Sequence, residues 1–470
     1  MELIHRKLKS KFKFVIPCIL LLFTICFGAS EEIRELARSL KGDPCLIYDY
    51  VRNNIEYVPT TYLQKGATGT YLDGCGNDYD QASLMIALLR ESGFTESTAK
   101  YVIGGMAIPD QNLANWLGCR NSPNYLASVL DFIQLERTNG YTKRVWVKVI
   151  INGQVYLFDP AYKQYSTHPK ITDIGSAMQF DINKFNIGET GFDSSINFVK
   201  NVGSTAISNI MHGYTANLRN YIKSQYPNTD INDLLGQRTI DRIPINPLVN
   251  FVALPFATTN PVEYEEIPTS SIATIKVECG TMPPYITKIS DIEGKRLTIT
   301  IENDANVYLK LDGNLIDSGN ATSNPNITLT ANVIYSTKPR MIPITAGTYP
   351  IVWNTEGVTY STNKLTKHQK RIGEYIAAGK STTSEEVLGE TLSMIGRRYI
   401  RSCERIGQLC GNMFDLAIIN RYIFGVVGQN SSGNFVDFTT GQANIPKDTI
   451  TTDINNCLSG IETIYSALEH

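Results

Sequence analysis

Four side chains between positions 75 and 159 have the types and the spacing to do chemistry together: Cys75, Asp78, Arg144 and Asp159. Asp78 stands just before the apolar run Leu84 to Leu89 and is read as the cap of a buried helix, with Gln81 three residues on as its capping partner. Exposed N–H groups at a helix start favour an anion, so they stabilise this carboxylate and make it a poor nucleophile. An Arg144 guanidinium facing both Asp78 and Asp159 would give a salt-bridge network that braces the fold or holds a carboxylate or amide. Cys75 offers a thiol three residues before Asp78. A thiol attacks as the thiolate, which needs a neighbouring base or cation. The histidines are His5, His168, His212, His368 and His470, and His168 would have to fold back towards the cleft to serve Cys75. Otherwise Cys75 is a buried thiol or is bonded to Cys45 or Cys119.

Other chemistries find little support. Asp78, Asp80 and Asp159 suggest calcium, but the spacing is not that of an EF-hand loop, and Asp80 should leave the helix on another face from Asp78. No HExxH or paired CxxC points to zinc. The glycines of Lys65-Gly66-Ala67-Thr68-Gly69-Thr70 do not make GxxxxGK[ST], so a nucleotide is not expected, and no cofactor is implied.

These residues depend on a short series of elements. Ile33, Leu36, Ala37 and Leu40 recur at helical spacing over 31–41, and Asp43-Pro44 starts a second helix carrying Ile47, Tyr48 and Val51. Ile55 to Val58 reads as a short strand, and 65–70 as a glycine-punctuated loop feeding the helix at 78. Tyr101-Val102-Ile103 reads as a strand and 110–138 as a helical insert. Residues 144–150 and 154–158 make a hairpin turning at Asn152-Gly153. That hairpin carries Arg144 at one end and Asp159 at the other.

The chain begins with a basic stretch (Arg6, Lys7, Lys9, Lys11, Lys13), an apolar run over 14–27, and small Gly28-Ala29-Ser30. This is the pattern of an export signal. The run is short for a membrane span of about 20 residues, although a retained anchor is the other reading. Ile25 directly before Cys26 argues against lipoprotein processing. Without residues 1–30, which hold five basic residues and Glu2, the chain has 38 Lys plus Arg against 44 Asp plus Glu, a formal charge of −6. That balance disfavours nucleic acid, which wants a basic stripe. Seven cysteines remain, too few for a disulfide-stapled scaffold, and the odd count leaves one thiol over or an intermolecular bond. Cys403 and Cys410, if on one helix, lie about 10 Å apart along its axis, too far for a disulfide.

Taken together, Val51-Arg52-Asn53-Asn54-Ile55-Glu56-Tyr57, Lys65-Gly66-Ala67, Gly76 to Arg90, Tyr101-Val102-Ile103-Gly104, Trp146 to Val149 and Phe158-Asp159-Pro160 resemble the transglutaminase-like superfamily. The likeness is greatest to its bacterial, exported branch of multidomain surface proteins. The resemblance implies an α+β, papain-like core in which active members place a cysteine at the start of the central helix, a histidine at the start of the next strand, and an aspartate after the strand that follows. Carried onto this chain, the cysteine position holds Asp78, the histidine position holds Arg144 (or Val145), and the aspartate position keeps Asp159. The resemblance therefore implies a degenerate triad and a noncatalytic scaffold or binding module. Its partner would be a protein, a peptide or a cell-wall component, met in the periplasm, at the cell surface or outside the cell. Membrane contact would come only through the N-terminal segment. A cysteine peptidase or acyltransferase using Cys75, and a truncated relic of a longer surface protein, are the alternatives.

The expected plan is a signal segment over 1–30, the transglutaminase-like domain over 31–165, and a bridging helical or irregular segment over 166–262 with helix near 213–225 and 230–236. A β-sandwich-like domain over 263–360 follows, with strands at 273–277, 296–301, 307–311, 327–334 and 348–353. A helical segment over 364–430 and a tail over 431–470 complete it. The tail holds a helix over 461–468 that stops abruptly, the motive for the truncated-relic reading.

Overall fold

The computed structural model describes residues 30–440 except position 120, 167–169, 303–304, 333–339, 355–361, 395–422, 431–432 and parts of 182–203 and 230–245. The N-terminal apolar segment, His168, Cys403, Cys410, Cys457 and the expected helix over 461–468 lie outside the described residues, as does most of the expected helix over 230–236.

Helix α1 (Glu31–Ser39) turns Ile33, Leu36 and Ala37 inward. Helix α2 (Pro44–Asn54) begins as its sequence predicts: the Asp43 carboxylate accepts the N–H groups of Cys45 at 2.7 Å and Leu46 at 3.3 Å. Strand β1 (Glu56–Tyr57) then pairs in parallel with β2 (Cys75–Gly76). Between them the expected glycine loop is instead a helix, α3 (Gly66–Asp73). Its amino end is held from outside by Asp80, whose Oδ1 accepts the N–H groups of Gln64, Lys65 and Gly66 at 2.9, 2.8 and 3.1 Å. Those amides would otherwise lack partners at a helix start.

Helix α4 (Asp78–Glu91) is the central helix, and Leu84, Met85, Ile86, Leu88 and Leu89 are at most 1% exposed. Its cap is one residue earlier than expected. Asn77 Oδ1 accepts the Asp80 N–H at 3.0 Å, and Asp80 Oδ2 accepts the Asn77 N–H at 3.4 Å, a reciprocal capping box. Asp78 is displaced from that role because its carboxylate is taken by a strand. Gln81 is not a capping partner either: its Nε2 donates to the carbonyls of Gly76 at 2.7 Å and Glu56 at 3.1 Å, tying α4 to β1 and β2. Gly76 has no alternative, since a Cβ there would sit 2.7 Å from the Asp80 Cβ.

The sheet against α4 contains β3 (Ala99–Met106), β4 (Arg137–Thr138), β5 (Tyr141–Ile151) and β6 (Gln154–Phe158). The β5–β6 hairpin turns at Asn152-Gly153, both at positive φ (51° and 79°), as the dipeptide predicts. The insert between β3 and β4 forms α5 (Asp110–Leu117) and α6 (Pro123–Phe132). The chain continues through β7 (Tyr165–Ser166), α7 (Ile174–Met178), β8 (Phe192–Asp193), β9 (Phe198–Val199), α8 (Ser204–Gln225) and β10 (Thr239–Ile240). It then returns to the first sheet: β11 (Thr258–Tyr264) pairs antiparallel with β3, giving the order β11-β3-β5-β4 with β6 also on β5. The bridging segment thus ends as an edge strand, which its exposed and proline-containing sequence did not announce.

The β-rich region is a two-sheet sandwich. One sheet has β12 (Thr274–Cys279), β13 (Tyr285–Lys288), β17 (Asn326–Ala331) and β18 (Arg340–Pro343), in the order β13-β12-β17-β18. The other runs β16-β15-β14-β19-β20-β21 and adds β14 (Leu297–Glu302), β15 (Asn306–Leu311), β16 (Asn314–Asn320), β19 (Gly347–Asn354), β20 (Ile423–Asn430) and β21 (Gly433–Thr440). Ile275, Val277 and Leu329 from the first sheet and Ile299, Leu309 and Ile351 from the second share one core. Helix α9 (Thr362–Ala377) and a helix over 385–394 supply the helical C-terminal segment. That segment is shorter than expected. Positions 423–430, read as its end, and 433–440, read as tail, are strands, because their β-branched and aromatic residues continue the ladder from β19.

Candidate functional site

The site is built where the sheet has a gap. On one side of β5, Tyr141 and Thr142 pair with β4 and Val147 to Ile151 pair with β6. Between these stretches the Val145 N–H meets no strand; it donates to Asp78 Oδ2 at 3.0 Å. The first residue of α4 thus fills a missing ladder partner. The same oxygen accepts from Arg144 Nε at 3.4 Å, while Asp78 Oδ1 accepts the Tyr79 N–H at 3.1 Å.

Arg144 joins the two acids. Its Nη2 donates to Asp159 Oδ1 at 2.8 Å and Oδ2 at 3.1 Å, and Asp159 Oδ1 also accepts the N–H groups of Ala161 and Tyr162 at 3.2 and 3.0 Å. The structure therefore brings together Asp78, Arg144 and Asp159, as their types suggested. Val145, the other candidate for the strand position, contributes only its backbone. All three side chains are sealed from solvent, at 3%, 0% and 2% exposure.

The seal comes from the insert, which sequence reasoning identified only as helical. Trp116 of α5 is fully buried, lies 4.0 Å from the Arg144 guanidinium, and stacks on Tyr57 at 4.0 Å between ring centroids. Its Nε1 donates to the Ala161 carbonyl at 2.8 Å, locking α5 over the loop that carries Asp159. Leu113, Trp116 and Leu117 at helical spacing were the signal that α5 buries one face; what that face covers is a tertiary fact.

Burial pushes the Asp78 carboxyl above its ordinary value, and Arg144 and the Val145 N–H only partly oppose this. Burial alone would weaken the Arg144 proton, but Asp159 and Asp78 outweigh it and hold the guanidinium above its usual range. The Tyr57 phenol is pushed well up, first by burial and then by Asp78. Tyr57 Oη and Arg144 Nη1 are buried without a hydrogen-bond partner among the described residues. The arrangement is a fixed ion triad: its acids accept bonds already made, and its cation carries no removable proton at neutral pH.

Cys75 lies elsewhere. It is 1% exposed, and its Sγ receives a hydrogen bond from Lys65 Nζ at 3.3 Å. Cys45 is a free thiol, so a Cys45–Cys75 disulfide is not formed. Lys65 also pairs with Asp73 at 2.8 Å, and Lys364 of α9 bridges Asp73 Oδ1 at 2.6 Å and Glu293 Oε2 at 2.8 Å. Glu293 Oε1 in turn accepts from Trp353 Nε1 at 2.7 Å. This second buried network joins the first domain, the sandwich and α9, and Cys75 is at its edge. Among the described histidines, His368 is bound to Glu390 at 2.5 Å and His212 is exposed on α8. Asp80 faces the start of α3 rather than Asp78 and Asp159, so the three acids weighed for calcium do not converge. No group of three His, Cys, Asp or Glu among the described residues is arranged to hold a metal ion.

Lys163 is the residue that sequence reasoning passed over entirely. It is fully buried, and its Nζ donates to Gln81 Oε1 and to the carbonyls of Pro160, Arg52 and Val51 at 2.8, 2.7, 2.9 and 3.2 Å. Burial, with Arg52 next, pushes its pKa well down. It pins the Asp159-Pro160 turn to the last carbonyls of α2, so Asp159 is held by its own loop as well as by Arg144.

Residues 30–160 match the model of the transglutaminase-like superfamily, so the chain carries a transglutaminase-like, papain-like α+β domain over part of its length. No curated protein and no solved structure matches the chain.

Proposed function

We propose that the transglutaminase-like domain is noncatalytic and serves an exported protein as a scaffold and binding module for a protein, peptide or cell-wall partner. The observation that carries this reading is the Arg144 guanidinium between Asp78 and Asp159, 0% exposed beneath Trp116. In an active member of the superfamily these positions would hold a thiol, an imidazole and a carboxylate. Asp78 and Arg144 support neither step such a site performs. The carboxylate already accepts three hydrogen bonds, and a guanidinium cannot act as a base near neutral pH. The basic and apolar opening of the sequence supports export.

Labelling of the purified full chain with iodoacetamide near pH 7, read by peptide mass spectrometry, tests the reading. Cys75 should react no faster than a simple model thiol. Fast modification of Cys75 that disappears in His168→Ala would overturn it in favour of a Cys75 enzyme.

A further inference from the structure

We infer that this chain has a polypeptide-binding groove on its insert, separate from the sealed triad, which takes an extended segment with a basic side chain among apolar ones. This rests on the noncatalytic reading above and names the partner chemistry it leaves open.

The groove has a volume of about 750 Å3, within the range of sites that hold specific ligands. Its floor is apolar: Leu126 and Leu130 of α6 and Leu135 beyond it line it, each at most 7% exposed. One wall is the β4–β5 hairpin, through Glu136, Arg137 and Gly140. Tyr62 also lines it and has a positive φ of 69°, a conformation costly for a bulky residue. Asn77, which caps α4, holds it there by donating to the Tyr62 carbonyl at 2.6 Å.

Two features choose the occupant. First, among the described residues β4 is the end strand of its sheet, paired with β5, and its Arg137 lines the groove. An open strand edge beside apolar pockets is the arrangement by which extended peptides add to a sheet, with alternate side chains entering the pockets. Second, among the described residues the lining holds the acids Asp110, Asp131 and Glu136 against the one base Arg137. Asp110 already neutralises Arg137 at 2.6 Å, and Glu136 pairs outward with Lys143 at 3.0 Å. Asp131 is the carboxylate left to meet an incoming cation. The same negative excess disfavours nucleic acid and anionic lipid.

The test is fluorescence anisotropy of the full chain with a fluorescein-labelled, capped pentapeptide alternating leucine with lysine and arginine, beside its glutamate counterpart. The basic peptide should bind in the micromolar range and roughly tenfold more tightly than the acidic one. Asp131→Lys should weaken it by roughly fivefold, as reversal of one exposed charge pair allows. Ala127→Trp, which changes an exposed groove residue, should abolish binding while circular dichroism and melting stay as in the parent. No binding of the basic peptide below about 1 mM, or both variants binding like the parent, would overturn the groove and leave the noncatalytic reading standing. Equal competition by lysine amide alone would overturn the polypeptide assignment. A cleaved or covalently altered peptide in the recovered sample would instead overturn the noncatalytic reading on which the inference rests.

Discussion

Replacing Arg144 by methionine should be among the most damaging single changes in the domain, for an electrostatic reason that can be separated from packing. The guanidinium is the shared partner of two buried acids, at 2.8 Å from Asp159 and 3.4 Å from Asp78. Removing one member of a buried ion pair typically costs about 3–5 kcal/mol, because the remaining charge is neither solvated nor paired. Here two carboxylates would remain, so the loss at pH 7 should reach at least the upper part of that range. Without the guanidinium, burial would hold the folded-state pKa of Asp78 further above its unfolded value. The variant is then best tolerated below the unfolded carboxylate range and loses stability as pH rises through the folded value. The Arg144→Met deficit should therefore shrink as the pH is lowered from 7 towards 4. Adding Asp78→Asn and Asp159→Asn should recover the stability to within about 1 kcal/mol of the parent, since an apolar or neutral replacement of a whole buried network is often tolerated. Urea unfolding of the three proteins across that pH range is the assay. A deficit below about 1 kcal/mol, or one that is independent of pH and persists in the triple variant, would refute the ion-triad account and assign the role of Arg144 to its packing against Trp116.

Asp80→Asn should shift the balance of stability with pH: burial raises the Asp80 carboxyl to about 6 from 3.8, so its favourable contribution is present below 3.8 and lost as pH rises through about 6. The variant keeps a carbonyl oxygen for the three α3 amides and should gain about 3 kcal/mol relative to the parent between pH 3 and pH 7, read from urea midpoints; an unchanged difference would contradict a buried carboxylate there. Lys364→Met should cost about 3–5 kcal/mol by leaving Glu293 without a cation and Asp73 with Lys65 alone, and calorimetry should resolve the first domain and the sandwich as separate transitions; a single transition at the parent temperature would show that the network does not join them. In Asp78→Cys/Arg144→His/Trp116→Ala, iodoacetamide should modify the new thiol at least about tenfold faster than it modifies any thiol of Trp116→Ala, because a helix start and an adjacent imidazole favour the thiolate. Equal rates would sink the correspondence between these positions and a cysteine–histidine pair.

Most of what positions the triad was legible because it is local. The apolar run after Asp78, the Asn152-Gly153 turn and the Phe158-Asp159-Pro160 ending are each written in a few consecutive residues. Arg144 was named by carrying the family pattern onto the chain around Trp146, and its guanidinium lies between Asp78 and Asp159. Capping at Asn77 rather than Asp78 was not legible: both residue types cap well, and the choice is made by the Val145 N–H, which is 67 positions away. Helix α3 was hidden for the same reason, since its glycine-rich sequence is a poor helix former and its amino end is held by Asp80 from another helix. Lys163 gave no signal because a lone lysine after an Asp-Pro turn normally faces water. The edge strand β11 and strands β20 and β21 depend on pairing partners far along the chain, which no short pattern specifies.

The two buried charge networks differ in what they do for the fold. A buried ion pair is weak evidence of added stability, because desolvating the charges offsets much of their attraction. Its firmer consequence is geometric: each charge tolerates only the arrangement that pairs it. Arg144 fixes α4, β5 and the Asp159 loop to one another, and Lys364 fixes α3, the sandwich and α9. Here Asp78, Arg144 and Asp159 are covered by Trp116 and bonded to one another, which holds α4, β5 and the Asp159 loop in one arrangement. The same α5–α6 insert that seals the triad with Trp116 builds, through α6, the floor of the outer groove. One stretch of chain therefore supplies both the cover of the triad and the floor of the groove.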